Sequence, residues 1–249
     1  MKKHIPNTIT SMNLLCGCLA AVAVLDQLLV LGAILVIIAA IFDFFDGFAA
    51  RLLKVSSPIG KELDSLADMV TFGLVPGLIV LRYLANNLGL EDFEVNSFIE
   101  HPVLLIAFMI PIFSALRLAK FNVDDRQQYG FRGVPTPASA LWFISIPLIL
   151  NYMPYHLGWS GETAFVNNGY LIGSTIIISL LMVSDIPLLA MKFKSYTWKE
   201  NQTKYIFLIS SLLLLIILQV LAIPAILSLY LIISIVSNLI NKNKNEVQS

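Results

Sequence analysis

An all-α bundle of membrane-spanning helices is the fold this sequence predicts, on three observations. Of its 249 residues 57% are hydrophobic and 13% charged, roughly half the charge of a typical soluble domain. Apolar runs of 17 or more residues recur along the chain almost free of charge, each long enough to cross a hydrocarbon core about 30 Å thick. The basic residues fall almost entirely in alternate connections. Backbone groups in lipid must bond within their own segment, so such runs are helices.

Eight spans are expected, at about 9–25, 27–50, 63–86, 102–121, 136–153, 168–190, 204–222 and 224–240. The first is entered through Pro6-Asn7-Thr8-Ile9-Thr10 and reads as a retained helix rather than a cleaved leader, because further spans follow at once. Cys16 and Cys18 lie one residue apart within it, with no companion His or Cys, and read as small packing residues. The second span ends in an acidic stretch and the third begins in one. The sixth ends near Ser184-Asp185-Ile186-Pro187, where the acid reads as a helix-end charge. The run from 204 to 240 would reach about 54 Å as one helix, so Pro224 is the expected break of a hairpin. A six-span core with one re-entrant segment also fits. No soluble domain interrupts the series.

Orientation follows from the positive-inside bias. With the amino terminus inside, the inner segments carry Lys2, Lys3, Arg51, Lys54, Lys61, Arg117, Lys120, Arg126, Arg132, Lys192, Lys194, Lys199, Lys204, Lys242 and Lys244. Those are fifteen of the sixteen basic residues, and Arg82 alone falls near the outer face. The loop around 87–101 instead carries Glu91, Asp92, Glu94 and Glu100. Both termini are therefore expected inside.

Charge at a membrane edge is costly and points to function. Asp43, Asp46, Gly47 and Ala50 stand at i, i+3, i+4 and i+7 of one helix, and so share a face. Asp64 and Asp68, at i and i+4, share a face of the next. The short connection 52–59 makes these two helices antiparallel neighbours, so four carboxylates converge. Such repelling charges need neutralising. Hard oxygen ligands without His or Cys select Mg²⁺, Mn²⁺ or Ca²⁺, and four suit two metals better than one. Gly47 and Ala50 leave bare surface for a planar group, and Arg51 offers donors to a phosphate. Pairing of these acids with Arg51, Lys54 and Lys61 is the ordinary alternative. It leaves the spacing and the small residues unexplained.

The pattern Asp43-x2-Asp46-Gly47-x2-Ala50-Arg51-x8-Gly60-x3-Asp64-x3-Asp68 resembles, without departure, the signature of the CDP-alcohol phosphatidyltransferase family. Eight fixed residues recur over 26 positions. The resemblance implies a dimeric bundle with a six-helix core and a polar cavity open to the cytoplasm. It also implies a two-metal site, for Mg²⁺ or Mn²⁺, that binds the CDP pyrophosphate. By it Asp43, Asp46 and Asp64 are metal ligands, and Asp68 is a ligand and the general base. Gly47, Ala50, Arg51, Ser57 and Gly60 are CDP-lipid contacts, and Asn7 and Thr10 belong to the same pocket. A catalytic membrane domain would then span 1–190, followed over 191–249 by a basic loop, a hairpin and a polar tail.

The signature leaves the acceptor open. Arg117-Leu118-Ala119-Lys120-Phe121-Asn122 and Phe131-x-Gly133-x-Pro135-x-Pro137, with Pro6-Asn7-x2-Thr10, resemble the phosphatidylserine synthase branch. That implies CDP-diacylglycerol and L-serine as substrates. By position beside the expected cavity, Arg117 or Lys120 would take the serine carboxylate and Asn122 its ammonium or carboxylate, and the short, loop-poor chain fits a bacterial-type inner membrane. Arg126 and Arg132 would suit a phosphorylated acceptor, glycerol-3-phosphate or inositol phosphate, by the same chemistry. A cation transporter is the remaining reading. It would spread acids over several spans, whereas these cluster on two helix ends.

Overall fold

A computed structural model describes residues 4–55, 57–90, 92, 94–124, 132–156, 162–189 and 197–248. Lys2, Lys3, Glu91, Arg126, Phe131, Lys192 and Lys194, used above, lie outside these. The described chain is helical, with one isolated bridge between Arg132 and Pro187. Its α-helices are α1 (His4–Leu25), α2 (Leu29–Leu53), α3 (Pro58–Asp68), α4 (Val75–Asn87), α5 (Ser97–Glu100), α6 (Met109–Val123), α7 (Thr136–His156), α8 (Glu162–Val166), α9 (Asn168–Val183), α10 (Trp198–Leu218) and α11 (Ala222–Gln248). A π-helical segment, Met69–Leu74, joins α3 to α4, and a 3₁₀ segment, Pro102–Phe108, leads into α6. Among the described residues five stretches are long and apolar enough to cross a bilayer: His4–Leu25, Leu29–Leu53, Pro58–Asn87, Pro102–Val123 and Asn201–Ser237. An all-α membrane bundle is what the chain forms.

Several boundaries differ from the expected ones. The first helix is already formed at His4, ahead of residue 9, and Pro6 is accommodated close to that end. The third begins at Pro58, not 63. The Ser57 hydroxyl accepts from the Gly60 N–H at 3.0 Å and caps it, with Pro58 in the first turn. The sixth stops at Val183, not 190, where Ser184 turns extended at ψ 151° and the chain runs on to Pro187. The hairpin breaks at Gln219–Leu221 rather than Pro224. Gln219 takes φ 50° there, and Pro224 is accommodated in the first turn of α11. The fold-back itself is as expected: the Phe207 and Tyr230 rings meet at 5.6 Å. Tyr230 Oη donates to the Leu189 carbonyl at 3.1 Å, which fastens α11 to the preceding segment.

Among the described residues the interior holds two apolar clusters. One gathers Val80, Leu84, Ala107, Ile110, Phe143, Ile146 and Leu171 from α4, the 3₁₀ lead-in, α6, α7 and α9. The other gathers Ala20, Val24, Ala33, Val36, Phe72, Ile79 and Ile144, and clamps α1 and α2 onto the π segment, α4 and α7. Outward-facing Leu15, Leu19, Ile34, Ile38, Ile41 and Ile216 are exposed, as a lipid-facing surface requires. Of the two free cysteines, Cys16 is buried as a packing residue and Cys18 is exposed, on the outward side of α1. Arg82 is buried, and its guanidinium donates to the Leu25 carbonyl at the end of α1, the usual employment of a cation at a helix C-terminus.

Candidate active site

The carboxylates meet because of how the chain leaves α2. Lys54, in the left-handed conformation at φ 52°, returns its N–H to Ala50 and Arg51 and ends that helix. Three residues later the Ser57 cap starts α3, so α3 runs back along α2. Asp43 on α2 and Asp64 and Asp68 on α3 then each present an oxygen within 4.8 Å of the others. Asp68 is buried and the other two are half-buried.

Asp46, also buried, stands beside this trio rather than within it. Its Oδ2 accepts the Thr10 hydroxyl proton at 2.6 Å, and Thr10 Oγ1 is also 3.1 Å from the Pro6 carbonyl. Asp68 Oδ1 accepts from Asn13 Nδ2 at 3.3 Å. Helix α1 therefore serves both acidic helices. Asn13 was not singled out by sequence reasoning, although a usable signal existed: a polar amide in an apolar run, on the stripe of Asn7 and Thr10 at three-residue steps.

Among the described residues the charge is incompletely answered. Asp64 Oδ1 is buried without a hydrogen-bond partner. An unsatisfied buried carboxylate oxygen costs several kcal/mol on the order-of-magnitude scale. Three converging carboxylates compound that cost. An all-oxygen donor set with an orphaned acceptor fits a hard divalent cation.

A cavity of about 220 Å³ opens beside the acids, lined by Asn7, Thr10, Asp46, Gly47, Ala50, Ser57, Gly60, Lys61 and Asp64, with Pro6 and Val55. Nearly every small or polar residue named from the sequence as a CDP-lipid contact stands on this wall. Arg51 is the exception, exposed next to Ala50 at the end of α2. The glycines do different work here. A Cβ at Gly47 would meet nothing within 4 Å, so that glycine keeps the wall open. At Gly60 it would stand 2.9 Å from Asn7 Oδ1 and 3.0 Å from Ser57 Oγ, so that glycine lets α1 approach α3.

The residues expected to hold serine divide. Arg117 is buried, donates its Nε–H to the Val134 carbonyl at 2.9 Å and lies 5.4 Å from the Phe121 ring centre. It is also within electrostatic reach of Asp68. Lys120 is engaged elsewhere, with Asp185 Oδ1 at 2.9 Å and the Val183 carbonyl at 3.1 Å. Asp185, read as a helix-end charge, thus has a specific partner. Asn122 joins α6 to α3: its Nδ2 donates to Ser65 Oγ at 2.9 Å, and its carbonyl accepts from Lys61 Nζ at 2.9 Å.

Gly133 belongs to a joint. At φ 72° its N–H donates to the Ile186 carbonyl at 3.0 Å, and the Val134 N–H donates to the Leu181 carbonyl at 3.0 Å. The Gly-x-Pro-x-Pro stretch thereby ties the start of α7 to the end of α9.

Comparison with known proteins identifies the family. The family model described as CDP-alcohol phosphatidyltransferase matches residues 3–240. A Helicobacter pylori (strain J99) protein named CDP-diacylglycerol–serine O-phosphatidyltransferase is 31% identical, over 96% of both chains. A protein of that name from Methanocaldococcus jannaschii is 31% identical over 73% of this chain and 72% of its own. Another, from Bacillus subtilis, is 32% identical over 64% of this chain and 83% of its own. With its acidic signature on two adjoining helix ends and a family match over nearly its whole length, this chain belongs to the CDP-alcohol phosphatidyltransferase family.

Proposed function

We propose that the chain transfers the phosphatidyl group of CDP-diacylglycerol to the hydroxyl of L-serine, giving phosphatidylserine and CMP. The observation that carries this is the Asp43–Asp64–Asp68 trio beside a cavity walled by Gly47, Ala50 and Gly60. The names of the relatives support serine as the acceptor.

Asp43, Asp64 and Asp68, with Asp46 adjoining, would hold Mg²⁺ or Mn²⁺. When bound, such ions neutralise the pyrophosphate oxygens and stabilise the departing CMP. The open wall at Gly47 and Ala50 admits the nucleotide end of the lipid, and Asn7, Thr10 and Ser57 offer polar atoms along it. In the reaction a bond forms between the serine oxygen and the lipid-bearing phosphorus, while the bond from that phosphorus to the CMP oxygen breaks. An alcohol is a poor nucleophile until its proton is accepted. Asp68 is the acceptor in this reading, buried and within electrostatic reach of Arg117. Arg117, held through its Nε on Val134, keeps the other end of its guanidinium for the serine carboxylate. Lys120 and Asn122 act by bracing α6 against Asp185 and α3. The gathering of basic residues in alternate connections supports a site that faces the cytoplasm from a bacterial-type inner membrane, where a soluble acceptor would reach it.

The test is CMP release by purified protein in detergent with Mn²⁺ and CDP-diacylglycerol, across serine, glycerol-3-phosphate and inositol phosphate. Serine alone is expected to support turnover. Arg117→Ala is expected to raise KM for serine about tenfold or more, the cost of a charge-assisted contact, with KM for CDP-diacylglycerol unchanged. Release only with a phosphorylated acceptor would refute the serine assignment, and no release with any acceptor would refute the enzyme reading.

A second outcome separates the cavity wall from the fold. Gly47→Leu fills the cavity from a position where a Cβ meets nothing. Its detergent Tm is expected within about 2 °C of the parent, as for a change touching no packed group. KM for CDP-diacylglycerol should rise about tenfold, as lost binding predicts. A large Tm loss with unaltered KM would show that Gly47 is a packing residue instead.

A further inference from the structure

We propose that Asn13 and Thr71 form a positioning relay that sets the orientation of the Asp68 carboxylate. The inference rests on the reading of Asp68 as a working carboxylate of the site. Thr71 lies in the π-helical turn that follows Asp68 directly, and its Oγ1 donates to Asn13 Oδ1 at 2.9 Å. Asn13 Nδ2 in turn donates to Asp68 Oδ1 at 3.3 Å. Both Asn13 and Thr71 have 0% exposure, so water does not compete for either bond.

The chain of donors has one consistent direction. An ionised carboxylate only accepts, so the Asn13 amide must turn its NH₂ toward Asp68. That leaves Asn13 Oδ1 facing the other way, where it needs a donor. The Thr71 hydroxyl is that donor. Its second acceptor within reach, the Asn13 backbone carbonyl at 3.4 Å, is farther, so its single proton goes to the amide oxygen. Without Thr71 the same orientation would leave Asn13 Oδ1 a buried acceptor with its donor removed, which weakens the hold on Asp68. Flipped, the amide would set an oxygen against the carboxylate.

The backbone supports the same arrangement. Between Asp68 and Val75 the helix widens to π geometry. Such turns insert one residue and re-aim those that follow, which brings Thr71 toward α1. On the other side Gly17, one turn beyond Asn13, makes room. A Cβ there would fall 2.3 Å from Thr71 Oγ1 and 3.2 Å from its Cα. Asn13, Gly17 and Thr71 thus share a close crossing of α1 over the π segment, with the hydrogen bonds at its centre.

The test uses full-length protein in detergent, after serine-dependent CMP release by the parent has been established. Failure of that first step refutes the functional reading and not the relay. Thr71→Val keeps the shape and removes the hydroxyl, whereas Thr71→Ser keeps the hydroxyl and removes a methyl. For Thr71→Val and Asn13→Ala, kcat at saturating Mn²⁺ is expected to fall about tenfold or more, the usual effect of losing an outer partner of a functional carboxylate. KM for serine should stay within about threefold, because binding of the acceptor is untouched. Mn²⁺ binding without substrate, followed by electron paramagnetic resonance, should weaken about tenfold in the same variants. Thr71→Ser should restore both readouts. If Thr71→Val matches the parent in kcat and Mn²⁺ affinity, or if Thr71→Ser is as damaged as Thr71→Val, the relay is wrong and the crossing is packing alone. The Thr71 pair keeps the test decisive even if Asn13→Ala does not fold.

Discussion

Asp68→Asn is expected to lower serine-dependent turnover about 10³-fold, within the range for losing a general base, while the protein still binds CDP-diacylglycerol. The substitution keeps the side chain's size and an acceptor oxygen for Asn13 Nδ2, now 3.3 Å from Asp68 Oδ1. It removes the capacity to take a proton from an alcohol. It also takes one negative charge from the trio, so Mn²⁺ binding weakens, and the two losses must be separated. Measuring kcat while raising Mn²⁺ to saturation does so. A lost ligand is recovered by more metal, and a lost base is not. Asp43→Asn is the comparison, since Asp43 belongs to the trio but is assigned no proton. Its turnover should recover substantially at high Mn²⁺ where that of Asp68→Asn does not. If Asp68→Asn recovers to within about fivefold of the parent, the proton goes elsewhere and Asp68 is a ligand only.

Which parts of this site could be read from the sequence depends on the range of the interactions involved. The carboxylates were legible because helical periodicity is local. Asp43 and Asp46 share one helix face, Asp64 and Asp68 another, and a short connection makes the helices neighbours. The structure brings Asp43, Asp64 and Asp68 together accordingly. Where Asp46 ends up was not legible, because its partner Thr10 stands 36 positions away. The same holds for Asn13 with Thr71, 58 positions apart. Lys120 and Asp185 were each visible as charges at helix ends, but nothing in either segment says that they pair across 65 positions. The hairpin shows the opposite failure. Pro224 is a strong local breaker, yet a first-turn position accommodates it, and Gln219, with no breaker character, takes the positive φ.

Gly133→Ala should be the most damaging single-methyl change for stability, with a detergent Tm lowered by more than about 5 °C. Two costs combine. The φ of 72° lies in the left-handed region, where a Cβ costs about 1–2 kcal/mol. The added Cβ would also stand 2.4 Å from the Met182 carbonyl oxygen and 2.8 Å from that of Ser184. These are backbone atoms at the end of α9, so no flexible side chain can swing away, and the end of α9 must part from the start of α7. Gly89 isolates the second cost. Its φ is 75°, yet a Cβ there meets nothing within 4 Å, so Gly89→Ala carries the conformational cost alone. The damage at Gly133 should also reach the chemistry. Val134, the next residue, holds Arg117 Nε through its carbonyl and the Leu181 carbonyl through its N–H. A displaced Val134 turns the guanidinium away from Asp68. Gly133→Ala protein kept below its own Tm should therefore show a raised KM for serine, and Gly89→Ala protein should not. Equal Tm values for the two variants would mean that the α7–α9 joint yields freely. The Gly-x-Pro-x-Pro stretch would then have to act on the acceptor directly rather than by holding Arg117 in place.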